Sequence, residues 1–226
     1  MKIELQIPTD VSEITLQKYQ KFVGLNSEGD NDEFIAHKLI SIFCGIELKN
    51  VRFLKATDVI SIVDRITLFF NQKHKFVNRF EIGGKEFGFI PNLENISMDE
   101  FVQLDTFMPD WSKMHKALAV MYRPITKTNN QLYEIEDYNS EITYEDVMLH
   151  APLNVVFGAM VFFWNLKKDL LNSSLNYLEN QMKELTSTMK NSNLTLDGDG
   201  ITHSINLVKE TLEDLEKLEN YRFINV

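Results

Sequence analysis

From Asn154 to Lys190 the chain has no proline and a single glycine, Gly158, and no other stretch limits the fold so strongly. The run predicts one helix of roughly 37 residues, about 55 Å long. Its first part, Val155, Val156, Phe157, Ala159, Met160, Val161, Phe162, Phe163, Trp164 and Leu166, is apolar nearly all round. A helix of that kind is buried in its own fold or against another subunit. At about 14 residues it falls short of the about 20 that a bilayer crossing needs. The second part changes character. Leu171, Leu175, Leu178, Met182, Leu185 and Met189 follow one another in steps of four and three, which is a heptad seam. After Asp197-Gly198-Asp199-Gly200 a second seam appears in Ile201, Ile205, Val208, Leu212 and Leu215. Folding back antiparallel pairs Met189 with Ile201, Leu185 with Ile205, Met182 with Val208, Leu178 with Leu212 and Leu175 with Leu215. Two seams in register predict an antiparallel αα-hairpin. The returning arm reaches only to about Leu171, so the apolar segment before Leu166 needs another cover.

The rest of the chain reads as a mixed body over residues 1–152, with residues 153–226 forming the long helix and arm. Ile3, Leu5 and Ile7 alternate before Pro8 and predict a short strand. An amphipathic helix follows at about Ser12–Val23, then a polar loop from Asn26 to Asn31. A second helix runs from about Asp32 to Cys44 with Gly45 as its stop. A third, capped by Thr57, carries Val59, Ile60, Ile62, Val63, Ile66, Phe69 and Phe70 at helical spacing. Between Phe76 and Pro91 the period drops to two, and Gly83-Gly84 joins the alternating runs into a hairpin with a primed turn. Ser97 and Glu100 have the spacing of a capping box for a helix to about Phe107. Another helix, about Ser112–Tyr122, stops before Pro124. Thr126–Tyr138 reads as irregular or weakly stranded. The fold class is therefore α+β, mainly α: a helical body with a small β-hairpin and a long C-terminal antiparallel αα-hairpin.

Charge and cysteine content narrow the function. The net charge of −10 and the lack of a basic run argue against a nucleic-acid binder. Between Thr128 and Leu166 there is no Lys or Arg, while Glu134, Glu136, Asp137, Glu141, Glu145 and Asp146 crowd one stretch. That stretch is either a solvated face or a docking surface for a basic partner. Cys44 is the single cysteine, so no internal disulfide forms, which suits a reducing compartment. The start, MKIELQIPTD, has no apolar core of the kind a signal peptide carries.

Motifs of catalysis are not found. Aligning Gly200 with the glycine of a calcium loop puts Thr195 and Asn206 where the two essential acids belong, so DGDG reads as a turn. His37, His74, His115, His150 and His203 are scattered, without the i, i+4 spacing of a zinc helix. Gly83-Gly84 lacks the helix and lysine of a phosphate loop, and no serine sits in a nucleophile elbow. The expectation is a non-enzyme with no cofactor, no metal and no small-molecule substrate, a small enzyme with an unrecognised carboxylate site being one alternative.

Three stretches together carry a resemblance: RFEIGGKEFGFI at Arg79–Ile90 with MDEFVQLDTF ending at Phe107, HKALAVMYRPIT at His115–Thr126, and Tyr133–Phe163 with its PLNVVFGAMVFFWNL. Their arrangement resembles uncharacterised proteins encoded in the structural-gene regions of crAss-like and related Bacteroidetes phages. Lys38–Ile66 is also similar to the short helical pattern of phage tail-assembly chaperones. The likeness covers about residues 35–170 and leaves out the C-terminal hairpin. It implies a virion or assembly protein, made in the bacterial host cytoplasm and located in the tail, whose partners are its own copies and other phage structural proteins. A ring or connector subunit of the tail is the first expectation, and an assembly chaperone absent from the mature particle the second. Membrane and nucleic acid are not expected as partners. The residues expected to carry interaction are Phe157, Phe162, Phe163 and Trp164 on the apolar helix and Leu178, Met182, Val208 and Leu212 on the seam.

Overall fold

The structure, a computed structural model, describes residues 5–25, 32–130, 132–141, 143–190 and 199–219. It is mainly α with one small antiparallel sheet and a C-terminal helix pair. The chain divides into two compact units, and the division falls after Ala159, inside the long helix.

In the first unit, Asp10 accepts a hydrogen bond from the Ser12 backbone N–H and caps a 3-10 turn at Val11–Glu13, which leads into α1, Leu16–Leu25. Leu16, Tyr19 and Phe22 share its buried face. Helix α2, Asp32–Phe43, opens on Asp32 and Glu33, acids that suit the positive end of the helix dipole. Its Lys38, itself buried, donates to the Leu25 carbonyl at the end of α1, meeting an acceptor that the helix leaves open. Gly45 then takes a positive φ of 72°, the left-handed conformation that ends helices without a Cβ penalty. A single-turn helix α3, Leu48–Val51, precedes α4, Ala56–Phe70. Thr57, expected as the cap of α4, lies inside the helix instead. The turns after α3 already deliver the chain in helical sense, and Asp58 and Val59 both donate to the Lys55 carbonyl.

Aromatic rings fill the centre of this unit. Tyr19 lies 5.7 Å from Phe70, 5.3 Å from Phe157 and 4.6 Å from Trp111, ring centre to ring centre. Phe43 and Phe22 extend the cluster, and Cys44 is buried at its edge. Burial pushes the Cys44 thiol up to about 11, because a thiolate there would lose its water.

The sheet has the order β1-β2-β3-β4, all antiparallel. Strands β1, Arg79–Ile82, and β2, Lys85–Phe89, form the expected hairpin, with Gly83 and Gly84 at φ 59° and 77°. Both positive angles are what a type I′ turn demands. Helix α5, Met98–Phe107, starts on the full capping box of Ser97 and Glu100. Helix α6, Met114–Met121, then passes directly into β3, Tyr122–Asn129, which turns into β4, Leu132–Ile135. The region read as irregular or weakly stranded is thus stranded, and with the end of the preceding expected helix it supplies half of the sheet. Pro124 is tolerated because it sits at a hand-over: β3 pairs with β2 up to Pro124 and with β4 from Ile125 onward. Gly88 completes the closure. A Cβ there would lie 2.4 Å from the Tyr133 ring, which crosses over β2 so that its hydroxyl donates to the Phe89 carbonyl at 2.8 Å. Leu5–Ile7 form no strand with any described residue, and residues 1–4 of that expected strand and the loop Asn26–Asn31 lie outside the described residues.

A further single turn, α7 at Glu145–Met148, leads to helix α8, Leu153–Lys190, the continuous helix that the lack of proline predicted. From Leu153 to Ala159 every residue except Asn154 is buried in the first unit. Gly158 is required there: a Cβ would come within 2.3 Å of the Lys75 carbonyl oxygen.

The second unit holds the remainder of α8 and helix α9, Asp199–Glu219. Leu171, Leu175, Leu178 and Met182 are half-buried among mostly exposed neighbours, and on α9 Ile201, Val208 and Leu212 are half-buried and Ile205 buried. The Glu179 carboxylate meets Lys209 Nζ at 3.2 Å. These two residues lie nearly the same distance from the facing ends of α8 and α9, which fixes the pair as antiparallel. The side chains of Leu185, Met189 and Leu215, and Asp197-Gly198 of the turn, lie outside the described residues.

Candidate interaction surface

The eight residues expected to carry interaction fall into three settings. Phe157 is fully buried among Tyr19, Phe70 and Trp111, so its ring is enclosed in the body. Phe162, Phe163 and Trp164 are half-buried, with the rings of Phe162 and Phe163 edge to face at 5.7 Å. Leu178, Met182, Val208 and Leu212 are half-buried on α8 and α9, the two helices that the Glu179–Lys209 ion pair joins.

A surface that the sequence did not single out lies on α5. Glu100 and Leu104, one turn apart, occupy its inner face. Glu100 is buried with its Oε1 2.9 Å from Arg123 Nη1, a close approach off the N–H axis and hence an ion pair rather than a directed hydrogen bond. The other carboxylate oxygen accepts from the Ser97 backbone N–H at 2.8 Å. With both charges paired and the cap engaged, this buried acid is held in place. It turns Met98, Phe101 and Val102 outward at 76%, 57% and 51% exposure. Three large apolar side chains at i, i+3 and i+4 make the stripe by which a helix meets a partner. Asp99 and Asp105 flank it, both exposed.

The acidic stretch folds beside that stripe. The Tyr138 hydroxyl donates to Asp99 Oδ2 at 2.9 Å, and burial together with that bond pushes the phenol up to about 12. Tyr144 donates to Glu136 at 2.6 Å, Lys85 lies 3.8 Å from Glu136, and Lys116 lies 3.7 Å from Glu145. Glu134 pairs with Lys127. Asp137, Glu141 and Asp146 remain exposed, with no ion pair to a described cation. A shallow cleft runs between Gln103, Arg123, Asp137, Tyr138 and Glu145. Beside it Lys85 meets Glu136 and Lys116 meets Glu145, contacts that hold the loop to the body.

An opposite surface forms around α3. Phe53 is 60% exposed and Leu48 is exposed beside it. The Arg52 guanidinium lies over the Phe53 ring at 4.8 Å, and Lys49 and Lys55 are exposed on the same short segment. Glu47, 2.6 Å from Lys49, and Asp58, early in α4, are the nearby acids.

Two histidines are held below their ordinary range. Burial against Phe157 is the main cause at His74, partly opposed by a bond to the Phe70 backbone and by Asp10. At His115 burial again leads, beside Gln20 at 3.2 Å. Among the described residues no group of three His, Cys, Asp or Glu is placed to hold a metal ion, and no helix is long and apolar enough to cross a membrane. No protein-family model, no curated protein and no solved structure matches the chain.

Proposed function

We propose that the protein is a structural component of a tailed-phage virion, a subunit of a tail ring or connector layer that works by packing against neighbours. The observation that carries this reading is the α5 stripe. Met98, Phe101 and Val102 stand exposed on a helix whose inner face is fixed by a buried ion pair and a capping box. Side chains that large, presented on a rigid element, favour an interface over a solvated face. The resemblance of the sequence stretches Arg79–Ile90, His115–Thr126 and Tyr133–Phe163 to phage structural-region proteins supplies the setting. On this reading the chain has no substrate and no cofactor. Its chemistry is burial. Mass spectrometry of purified particles tests it: the protein is expected there at a fixed ratio to the tail proteins. A chain abundant in infected cells and absent from particles would favour an assembly chaperone, which would use the same stripe to hold an unassembled tail protein.

A further inference from the structure

We infer that the protein associates head to tail with its own copies, the α3 knob of one docking on the α5 stripe of the next. This deepens the assembly reading above and rests on it. The two surfaces are complementary in both terms that decide a contact. Each presents large exposed apolar side chains, Leu48 and Phe53 on one, Met98, Phe101 and Val102 on the other. Their charges are opposite. Arg52 and Lys55 give the knob its positive charge, Lys49 being met by Glu47, while Asp99 and Asp105 flank the stripe, with Asp137 and Glu141 exposed in the loop that Tyr138 ties to Asp99. Desolvating Phe53 against Phe101 supplies contact area, and the rim charges set orientation and encounter rate.

The same charges disfavour the symmetric alternatives. Two stripes face to face bring Asp99 and Asp105 of one copy against those of the other. Two knobs face to face do the same with Arg52 and Lys55. Like charges in an interface cost free energy and select against that pairing. The knob is built on α3, which packs on α2, whereas the stripe is built on α5, which packs on α6. The surfaces are therefore distinct, and one copy engages a neighbour through each. A contact between unlike surfaces closes into a ring or runs on as a filament.

The experiment uses the full chain and two double variants of exposed residues, Arg52→Glu with Phe53→Ser in the knob and Phe101→Ser with Asp105→Lys in the stripe. Light scattering behind size-exclusion chromatography reads the mass across a concentration series, and thermal melts check that both variants keep the wild-type midpoint. The wild type is expected to form species larger than a dimer, weakened about tenfold or more at high salt. Each variant alone is expected to be a monomer. Mixed in equal amounts, the two variants should form a dimer and stop there, since each retains one working surface. A wild type that stays monomeric overturns the inference, as do folded variants that still assemble alone or that fail to pair when mixed. If those results came with the protein present in purified particles, the virion reading would survive with a different neighbour. Intact mixing with the protein absent from particles would instead overturn the virion reading and leave the self-contact standing.

Discussion

The two halves of α8 differ in how they are held. From Leu153 to Ala159 the helix is enclosed by the body, down to a glycine pressed against the Lys75 carbonyl. From Leu171 to Met182 no residue is fully buried, the seam positions are half-covered, and most of the intervening residues are exposed. A helix surrounded by core gains burial from nearly every residue, whereas one paired along a single seam gains it from two in seven. The first half should therefore share the cooperativity of the body. The arm should open at lower free energy, as elements with few buried apolar groups do.

The sharpest way to break this comparison is to cut the same kind of group from each half. Phe157→Ala removes a ring that touches Tyr19, Phe70, His74 and Trp111, and is expected to cost about 3–5 kcal/mol in denaturant unfolding of the body. A loss under about 1 kcal/mol would mean that the aromatic cluster is loosely packed. Gly158→Ala comes next. Its Cβ meets backbone, which cannot swing aside as a side chain can, so about 2–3 kcal/mol of overpacking is expected, measured the same way. Leu178→Ala should cost less, about 1–2 kcal/mol, because Leu178 is only half-buried. Hydrogen exchange should show that loss in 160–219 and leave protection in the body unchanged. Equal loss in both units would remove the distinction.

Acid gives the smallest effect and acts on the body. His74 packs at a tilt against Phe157, and its folded-state value lies below the ordinary 6.5 because burial disfavours the charged ring. The unfolded chain therefore binds the proton more readily. The stability that His74 contributes is full above about pH 6.5 and is lost as pH falls from there toward the lower folded-state value. The midpoint of the body should drop from pH 7 to pH 5, and His74→Gln should flatten that slope, leaving the share due to His115, which is shifted the same way. A slope unchanged in the variant would assign the acid sensitivity elsewhere.

These regions were not equally legible in the sequence. The helix pair of α8 and α9 could be read from the sequence, because a repeat of 3.5 sustained over two runs suits packed helices and little else. The hairpin was equally plain, since Gly83-Gly84 between alternating runs specifies both turn and register. The second half of the sheet was legible only as a weak strand, because Pro124 argues against a central strand unless pairing changes partners there, and that change depends on β2 and β4 together. The α5 stripe was hidden for a different reason. Met98, Phe101, Val102, Leu104 and Phe107 offer two possible inward faces, and the choice is made by Glu100, an acid that turns inward only because Arg123 waits there. A partner so far along the chain leaves no periodic trace. Phe157 and Phe163 looked alike as members of one apolar run, yet only the first is fully enclosed.

Cys44 turns the comparison into something that can be watched without altering the chain. It is the single sulfhydryl, enclosed in the body, with its ionisation pushed up to about 11. Thiol-reactive dyes need an ionised sulfur in contact with water, so the folded protein is a poor target at neutral pH. Labelling then runs only through molecules whose body has momentarily opened, and its rate becomes a stopwatch for that event alone. Fraying of α9 should leave the stopwatch untouched. Heat or the loss of a core ring should start it.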